Sequence, residues 1–208
     1  MSTGRLPDSF FDGMYDDSPD PWGFQSLWYE KRKLALTAAM LQQPTYAAAF
    51  EPGCSMGLVT ELLADRCERV IATDVSAAVL DAARTRLAGR DNVEVRRWAL
   101  GDPWPEEQFD LIVLSEVAYY LELPLLREVM TGAQQALEPG GTLLAVHWRY
   151  RVREYPTTGD QVHEVLESLP ELSRTARYRD EDVVLETFQK VPPEPVSVAA
   201  REGLVPEC

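Results

Sequence analysis

Apolar residues in this chain fall into short runs that alternate with stretches of helical spacing. One run, residues 47–50, enters Glu51-Pro52-Gly53-Cys54-Ser55-Met56-Gly57, and an amphipathic stretch, residues 58–64, leaves it. That order predicts a strand, a tight glycine turn and a helix. Gly53 and Gly57 let the backbone bend sharply and let a ligand approach it closely. Upstream, Leu27, Leu34, Ala38 and Leu41 predict a helix over 25–42, stopped by Pro44. The first strand covers 46–50, and the helix after the turn runs to about residue 66. Further strands are predicted over 69–74, 92–98, 109–115 and 142–147, and further helices over 77–87, 123–137 and 159–168. Ser76 is expected to cap the helix at 77 through its hydroxyl. Pro124 fits the first turn of the helix at 123, where a missing N–H does no harm. The run 109–115 is nearly all apolar, as for a strand buried on both faces. Segments 173–178 and 183–189 read as a closing antiparallel pair.

The ends differ from the centre. Asp16-Asp17-Ser18-Pro19-Asp20-Pro21-Trp22-Gly23 reads as a turn-rich loop. Phe10, Phe11, Tyr15, Trp22 and Phe24 are costly to leave in water, so residues 1–23 are expected to pack on the domain, as plain packing or as a lid. From Pro192 the chain is proline-rich and expected to be loosely ordered. No repeat and no second domain is visible, so residues 1–191 read as one domain. Strands alternating with helices imply an α/β fold with right-handed crossovers and a mostly parallel sheet covered on both faces. Ligands of such sheets bind beyond the carboxyl ends of the strands, at the switch point.

Composition narrows the function classes. The chain has 208 residues, 45% of them hydrophobic and 26% charged, with a net charge of −14. This acidity argues against nucleic acid or an anionic membrane as the main partner. Cys54, Cys67 and Cys208 are few, odd in number and lack metal-ligand spacing, so no disulfide framework and no metal site is expected. No apolar run is long enough to span a bilayer and the start carries no secretory h-region, so a cytoplasmic protein is expected.

The chemistry should sit just after the strands. The glycine turn offers free backbone N–H groups and a helix N-terminus to polar or negative ligand groups. Asp74, at the end of the next strand, can accept from ribose hydroxyls or can simply cap the following helix. Glu116, Tyr119, Tyr120 and His147 follow the fourth and fifth strands and are candidates to orient or deprotonate a nucleophile, Glu116 foremost. Each also has a structural reading, as cap, packing or hydrogen-bonded core histidine. His163 is expected to lie far from them. Trp148 and Arg149 form either a substrate wall or a surface corner. Cys54 reads as a small lining residue.

The glycine turn with Asp74, Phe109-Asp110-Leu111-Ile112-Val113 and Leu137-Glu138-Pro139-Gly140-Gly141 resembles the motif set of class I S-adenosylmethionine-dependent methyltransferases. A narrower resemblance, to the NodS-like branch of nodulation-type N-methyltransferases, rests on four stretches. They are Asp20-Pro21-Trp22 with Tyr29-Glu30, Glu51-Pro52-Gly53-Cys54-Ser55, Ser115-Glu116-Val117-Ala118-Tyr119-Tyr120-Leu121, and His147-Trp148-Arg149. The resemblance implies a three-layer Rossmann-like fold, with a mostly parallel seven-stranded sheet and an antiparallel closing strand. It implies S-adenosyl-L-methionine as cofactor and a small-molecule amine as acceptor, with an amino sugar or chitooligosaccharide suggested by the branch, in a monomer or homodimer. Glu51, Gly53, Cys54, Ser55 and Gly57 would line the methionine side, Asp74 would hold the ribose, and Val75 would lie beside the adenine. Ser115 and Glu116 would close the site beneath the sulfonium. Residues 1–45 would form the lid, with Trp22, Tyr29 and Lys33 as contacts, and Lys33 or Arg32 would pair with the cofactor carboxylate. Two departures stand out. Ser55 replaces the usual middle glycine, and the acid that often meets the adenine amino group falls on Ala99. The adenine is therefore expected on the backbone of Ala99 and Leu100, or on Asp102. The competing readings are a nicotinamide-dependent oxidoreductase, whose G-x-G-x-x-G pattern Gly53 to Gly57 does not match, and a non-catalytic cofactor-binding module.

Overall fold

The computed structural model describes residues 4–18 and 20–206. Pro19 in the loop at 16–23, and Cys208, lie outside the described residues. The elements run α1 Asp8–Asp17, α2 Trp28–Met40, β1 Tyr46–Pro52, α3 Leu58–Ala64, β2 Cys67–Asp74, α4 Ala77–Arg86, β3 Val93–Arg97 and β4 Phe109–Ser115. A 3₁₀ turn, Ala118–Tyr120, precedes α5 Leu123–Ala136, β5 Leu137–Trp148, α6 Gly159–Glu167, β6 Leu172–Arg179, β7 Val183–Lys190 and α7 Val198–Arg201. Among the described residues the strands form one seven-stranded sheet in the order β3-β2-β1-β4-β5-β7-β6. The pairings from β3 to β5 are parallel, and β7 runs antiparallel to both β5 and β6. The order reverses between β1 and β4, which open as neighbours from one point in the sheet.

Alternation along the central strands separates two apolar faces. Phe50, Ile112, Leu114, Leu143 and Ala145 pack with Leu126 and Met130 of α5 and Leu166 of α6. Ala49, Leu111, Val113, Leu144 and Val146 pack on the other face with Leu63 of α3 and Leu36 and Met40 of α2. The Asp110 carboxylate accepts from the N–H groups of Ala47 and Ala48, both at 2.8 Å, and so sets where β1 begins against β4.

Four local features differ from the sequence reading. Residues Asp8–Asp17 form a helix, because Phe10, Phe11, Met14 and Tyr15 recur at helical spacing and Phe11 docks edge-on against Tyr120 at 4.8 Å. Glu138 to Gly141 are absorbed into β5 as an irregularity, with the β4–β5 register shifting between Phe109 and Leu111. The hydroxyl of Ser76 makes no cap and is buried without a partner among the described residues. Asp74 instead closes the turn that leads into α4: its Oδ1 accepts from the N–H of Val75 at 2.8 Å and of Ser76 at 3.1 Å, both ahead of the first helical residue. The tail carries a short helix, and Arg201 Nη2 donates to the Gln42 carbonyl at 2.9 Å.

Phe50 is the aromatic floor beneath the sheet's carboxyl edge, with ring centroids 5.0 Å from Phe109, 5.3 Å from Trp98 and 5.6 Å from Trp104. Phe50→Ala should cost about 3–5 kcal/mol in chemical denaturation, from lost transfer energy plus a cavity that three fixed rings cannot close.

Candidate functional site

A cavity of about 410 Å³ opens beyond the carboxyl ends of β1, β2 and β4, at the switch point, with α1, α2 and their connecting loop over it. Its first end is made by the glycine turn. Gly53, Ser55 and Gly57 all have left-handed backbones, at φ +71°, +48° and +82°. At Gly53 a Cβ would collide with Val117 Cγ1, so only glycine fits. Ser55 adopts this geometry at a cost and is held on two sides. Its N–H donates to Asp74 Oδ2 at 3.0 Å, and its hydroxyl lies 2.6 Å from the Tyr15 hydroxyl of α1. The Asp74 carboxylate therefore accepts three backbone N–H groups from two turns while lining the cavity. Burial pushes its pKa up, against the pull of those three donors.

Glu51, next to last in β1, is 2% exposed and lines the same cavity. Its Oε2 accepts from the Thr60 hydroxyl at 2.6 Å. Burial first, and the Asp74 charge after it, push the Glu51 carboxyl up to about 7 against that hydrogen bond. The Cys54 thiol is raised by burial and by the charges of Glu51 and Asp74, so it stays protonated and is no nucleophile.

The other end is built around Glu116, whose φ is +59°. Its Oε2 accepts from the Tyr119 hydroxyl and, at 3.2 Å, from the Trp148 N–H of β5. Its Oε1 pairs with Lys33 Nζ at 3.1 Å, and Lys33 also pairs with Glu30 at 2.9 Å. Burial works against the Lys33 ammonium, but Glu116 and Glu30 outweigh it and hold its pKa above the ordinary value. Tyr119 is raised by burial and by Glu116, so the phenol keeps its proton. The Tyr29 hydroxyl lies in the wall, buried, with no hydrogen-bond partner among the described residues. Four acids, Glu30, Glu51, Asp74 and Glu116, face two bases, Arg5 and Lys33.

Most residues singled out from the sequence meet here. Trp22, Tyr29 and Lys33 line the cavity from the arm and α2; Cys54, Val75, Leu100 and Ser115 line it from the strand ends. Gly57, Ala99, Asp102, His147, His163, Arg32 and Arg149 do not line it. Gly57 sits behind the turn as the N-cap of α3. Ala99 has its N–H donated to Asp102 Oδ2 at 3.2 Å, while its carbonyl accepts from the Asp102 N–H at 2.9 Å. That pairing takes up the Ala99 N–H and one oxygen of the Asp102 carboxylate. His147 is fully buried beneath the site. His163, expected far away, lies with its Nε2 3.1 Å from His147 Nδ1. Arg32 points out of the cavity, pairing with Asp180 at 2.8 Å and with the Tyr178 hydroxyl. Arg149 is a corner, clamped by Asp160 at 3.0 Å, whereas Trp148 does line the wall. Trp98, at the end of β3, and Tyr155, in the loop after β5, also line it and were not singled out. Trp98 follows a strand end and could have been found by position; nothing in the sequence marks Tyr155.

A family model described as a methyltransferase domain matches residues 50–145. A solved structure from Pseudomonas syringae, assigned as a methyltransferase, is 38% identical, with a TM-score of 0.70, over 79% of this chain and 100% of that one. The chain belongs to the class I S-adenosylmethionine-dependent methyltransferases. The N-methyltransferase NodS from Bradyrhizobium japonicum WM9, solved with S-adenosyl-L-homocysteine, is 25% identical over 89% of this methyltransferase and 98% of that chain, with a TM-score of 0.81. Nodulation protein S of Rhizobium tropici is 34% identical over 60% of this chain and 53% of its own length, so the chain spans about half the length of that relative. The nicotinamide reading falls with this membership. The cavity also fits the family's cofactor by its own chemistry. Acids, an orphaned phenol and aromatic faces suit a cationic adenosyl compound with hydroxyls to satisfy.

The Glu51 shift has a consequence for stability. A carboxyl at about 7 when folded and near 4.5 when unfolded keeps a proton in the folded state that the unfolded chain has lost. Its contribution is therefore complete below pH 4.5 and is lost as pH rises through 7. In the ligand-free protein, stability relative to Glu51→Gln should fall by up to about 3 kcal/mol across that window. Parallel denaturation curves of the two proteins against pH would measure it, and parallel pH profiles would refute it.

Proposed function

We propose that this methyltransferase transfers a methyl group from S-adenosylmethionine to a neutral amine on a small molecule. The observation that carries the reading is the Lys33–Glu116–Tyr119 constellation, set in a wall with twice as many acids as bases. When bound, the cofactor supplies an electrophilic methyl group on a cationic sulfur, and the transfer is an in-line displacement that needs alignment above all. Asp74 accepts a ribose hydroxyl through the open side of Oδ2, with Val75, Trp98 and Leu100 around the base. Glu51, Gly53, Cys54 and Ser55 face the amino-acid portion. Two of the three N–H groups of Lys33 go to Glu30 and Glu116, and the third meets the cofactor carboxylate; Arg32 is committed elsewhere. Trp22 and Tyr29, with the rest of the segment before β1, form the lid of a single domain.

Glu116 serves as an anchor for charge rather than as a proton acceptor. Tyr119, Trp148 and Lys33 already donate to it, so both of its oxygens are committed to fixed partners. Its negative charge faces the incoming amine and favours the cationic product. The amine arrives neutral and its proton leaves to water after transfer. His147, sealed beneath the sheet edge, touches no reactant in this scheme. Amino sugars and chitooligosaccharides are the first acceptors to try, in a cytoplasmic setting, with the protein as monomer or homodimer.

An amine library supplied with the cofactor, read by formation of S-adenosylhomocysteine, tests the reaction. Turnover with at least one primary amine supports it. Tight product binding without turnover of any amine, alcohol or thiol would identify a binding module instead. Asp74→Ala should weaken S-adenosylhomocysteine by roughly 1.5–3 kcal/mol through loss of a charged acceptor. Unchanged affinity in a titration would refute the ribose assignment. Glu116→Gln should lower kcat by about 10²-fold with cofactor affinity little changed. Full activity in that variant would remove Glu116 from the scheme.

A further inference from the structure

Behind the acceptor end of the cavity lies a buried polar chain that the proposed reaction does not use. His147 Nε2 accepts from the Ala118 N–H at 3.4 Å, at the start of the 3₁₀ turn. His147 Nδ1 faces His163 Nε2 at 3.1 Å, and His163 Nδ1 faces Glu186 Oε2 at 2.7 Å. Glu186 is 1% exposed, and its other oxygen is held by Arg174 and Arg177, each at 3.1 Å. None of His147, His163 and Glu186 lines the cavity.

The donors in this chain run one way. An amide N–H can only donate, so His147 Nε2 must be unprotonated and its proton must sit on Nδ1. His163 then accepts on Nε2 and carries its own proton on Nδ1, which a carboxylate accepts. Both rings are thus fixed in the Nδ1–H form by a backbone donor at one end and a charge at the other. The packing keeps the chain short. Gly159 lets α6 close onto β5, since a Cβ there would collide with the Trp148 carbonyl and the His147 side chain. The Thr157 hydroxyl shares its one proton between the carbonyls of Tyr119 and Leu121, both at 3.2 Å, which ties the start of α6 to the 3₁₀ turn.

This chain ends where Glu116 is held. Ala118 precedes Tyr119, whose hydroxyl donates to Glu116, and His147 precedes Trp148, whose N–H donates to the same oxygen. The His147 ring also lies edge-on to the Tyr119 ring, with centroids 5.4 Å apart. We propose that Glu186, His163 and His147 are positioning residues that set the aim of Glu116 and Tyr119 from behind the cavity. This rests on the reading of Glu116 as the anchor for the acceptor.

Glu186→Gln tests it without touching the cavity. The Gln carbonyl oxygen would stay with the two arginines and its NH₂ group would face His163. His163 must then accept on Nδ1 and donate from Nε2, and His147 is left with an Nε2–H opposed to the Ala118 N–H. The chain has two histidines, so ¹⁵N-histidine NMR reads both rings without ambiguity. The wild type is expected to show two Nδ1–H rings. Glu186→Gln is expected to reverse His163 and speed hydrogen exchange at the Ala118 amide. It should also cut kcat about tenfold or more through misplacement of Glu116, with S-adenosylhomocysteine affinity unchanged. A general loss of structure would weaken that affinity as well. If Glu186→Gln does not fold, His163→Gln, which breaks the same chain one ring nearer, takes its place with the same exchange and kcat readouts. An Nε2–H ring in the wild type, or unchanged exchange and kcat in the variant, overturns the proposal. If the rings and the Ala118 amide respond but no amine is turned over, the methyl-transfer reading fails and the hydrogen-bond chain stands.

Discussion

The site depends on one carboxylate being reached from three elements at once. Glu116 takes an ammonium from α2, a phenol from the 3₁₀ turn and a backbone N–H from β5. No single element could present those donors; the sheet order, which sets β4 beside β5, and helix α2 bring the three together. A part-buried charge gripped this way is costly to leave half-satisfied, so removing any one donor disturbs the others. The left-handed backbone at Glu116 follows from the same demand. The chain must turn sharply off the end of β4 to aim the side chain back along the sheet edge, and the three partners hold it there.

The opposite end repeats the arrangement with different chemistry. Ser55 is also a non-glycine residue in the left-handed region, and Asp74 holds it there through its N–H. One carboxylate thus joins the turn after β1 to the turn after β2. The Tyr15 hydroxyl reaches Ser55 from α1, so that helix is latched to the strained residue itself. The cavity therefore lies between two strained residues, each stabilised by a carboxylate that also faces the ligand space.

What could be read from the sequence follows from how local each signal is. The run Phe109–Ser115 was bounded correctly because an unbroken apolar stretch ending in a polar residue leaves no second register. The glycine turn and Asp74 were legible because backbone chemistry and spacing alone specify them. Helix α1 was not, since ten residues with a central Gly13 have little helical tendency of their own and take their order from Phe11 against Tyr120. Arg32 and Lys33 could not be told apart, being neighbours in sequence; on a helix they point about 100° apart, and the register of α2 on the sheet decides which faces the cavity. His163 was placed far off because its separation from His147 spans a loop, and the closure of α6 over Gly159 is a packing event with no sequence pattern of its own.

The acid excess in the cavity carries a last constraint on the proposed chemistry. In the displacement a positive charge leaves sulfur and arrives on the nucleophile, so a fixed carboxylate near the nucleophile gains attraction as the reaction proceeds. An amine keeps that charge after transfer; an alcohol loses it at once with its proton. A wall with Glu116 and Glu30 at one end therefore favours the amine, and it also binds the charged product, so release of product competes with chemistry as the slow step. Lys33 moderates this. By sharing its ammonium between Glu30 and Glu116 it keeps the local charge to one net negative, enough to favour the arriving cation without holding it fast. The ion triad, rather than any single acid in it, thus balances the acceptor end between attraction and release.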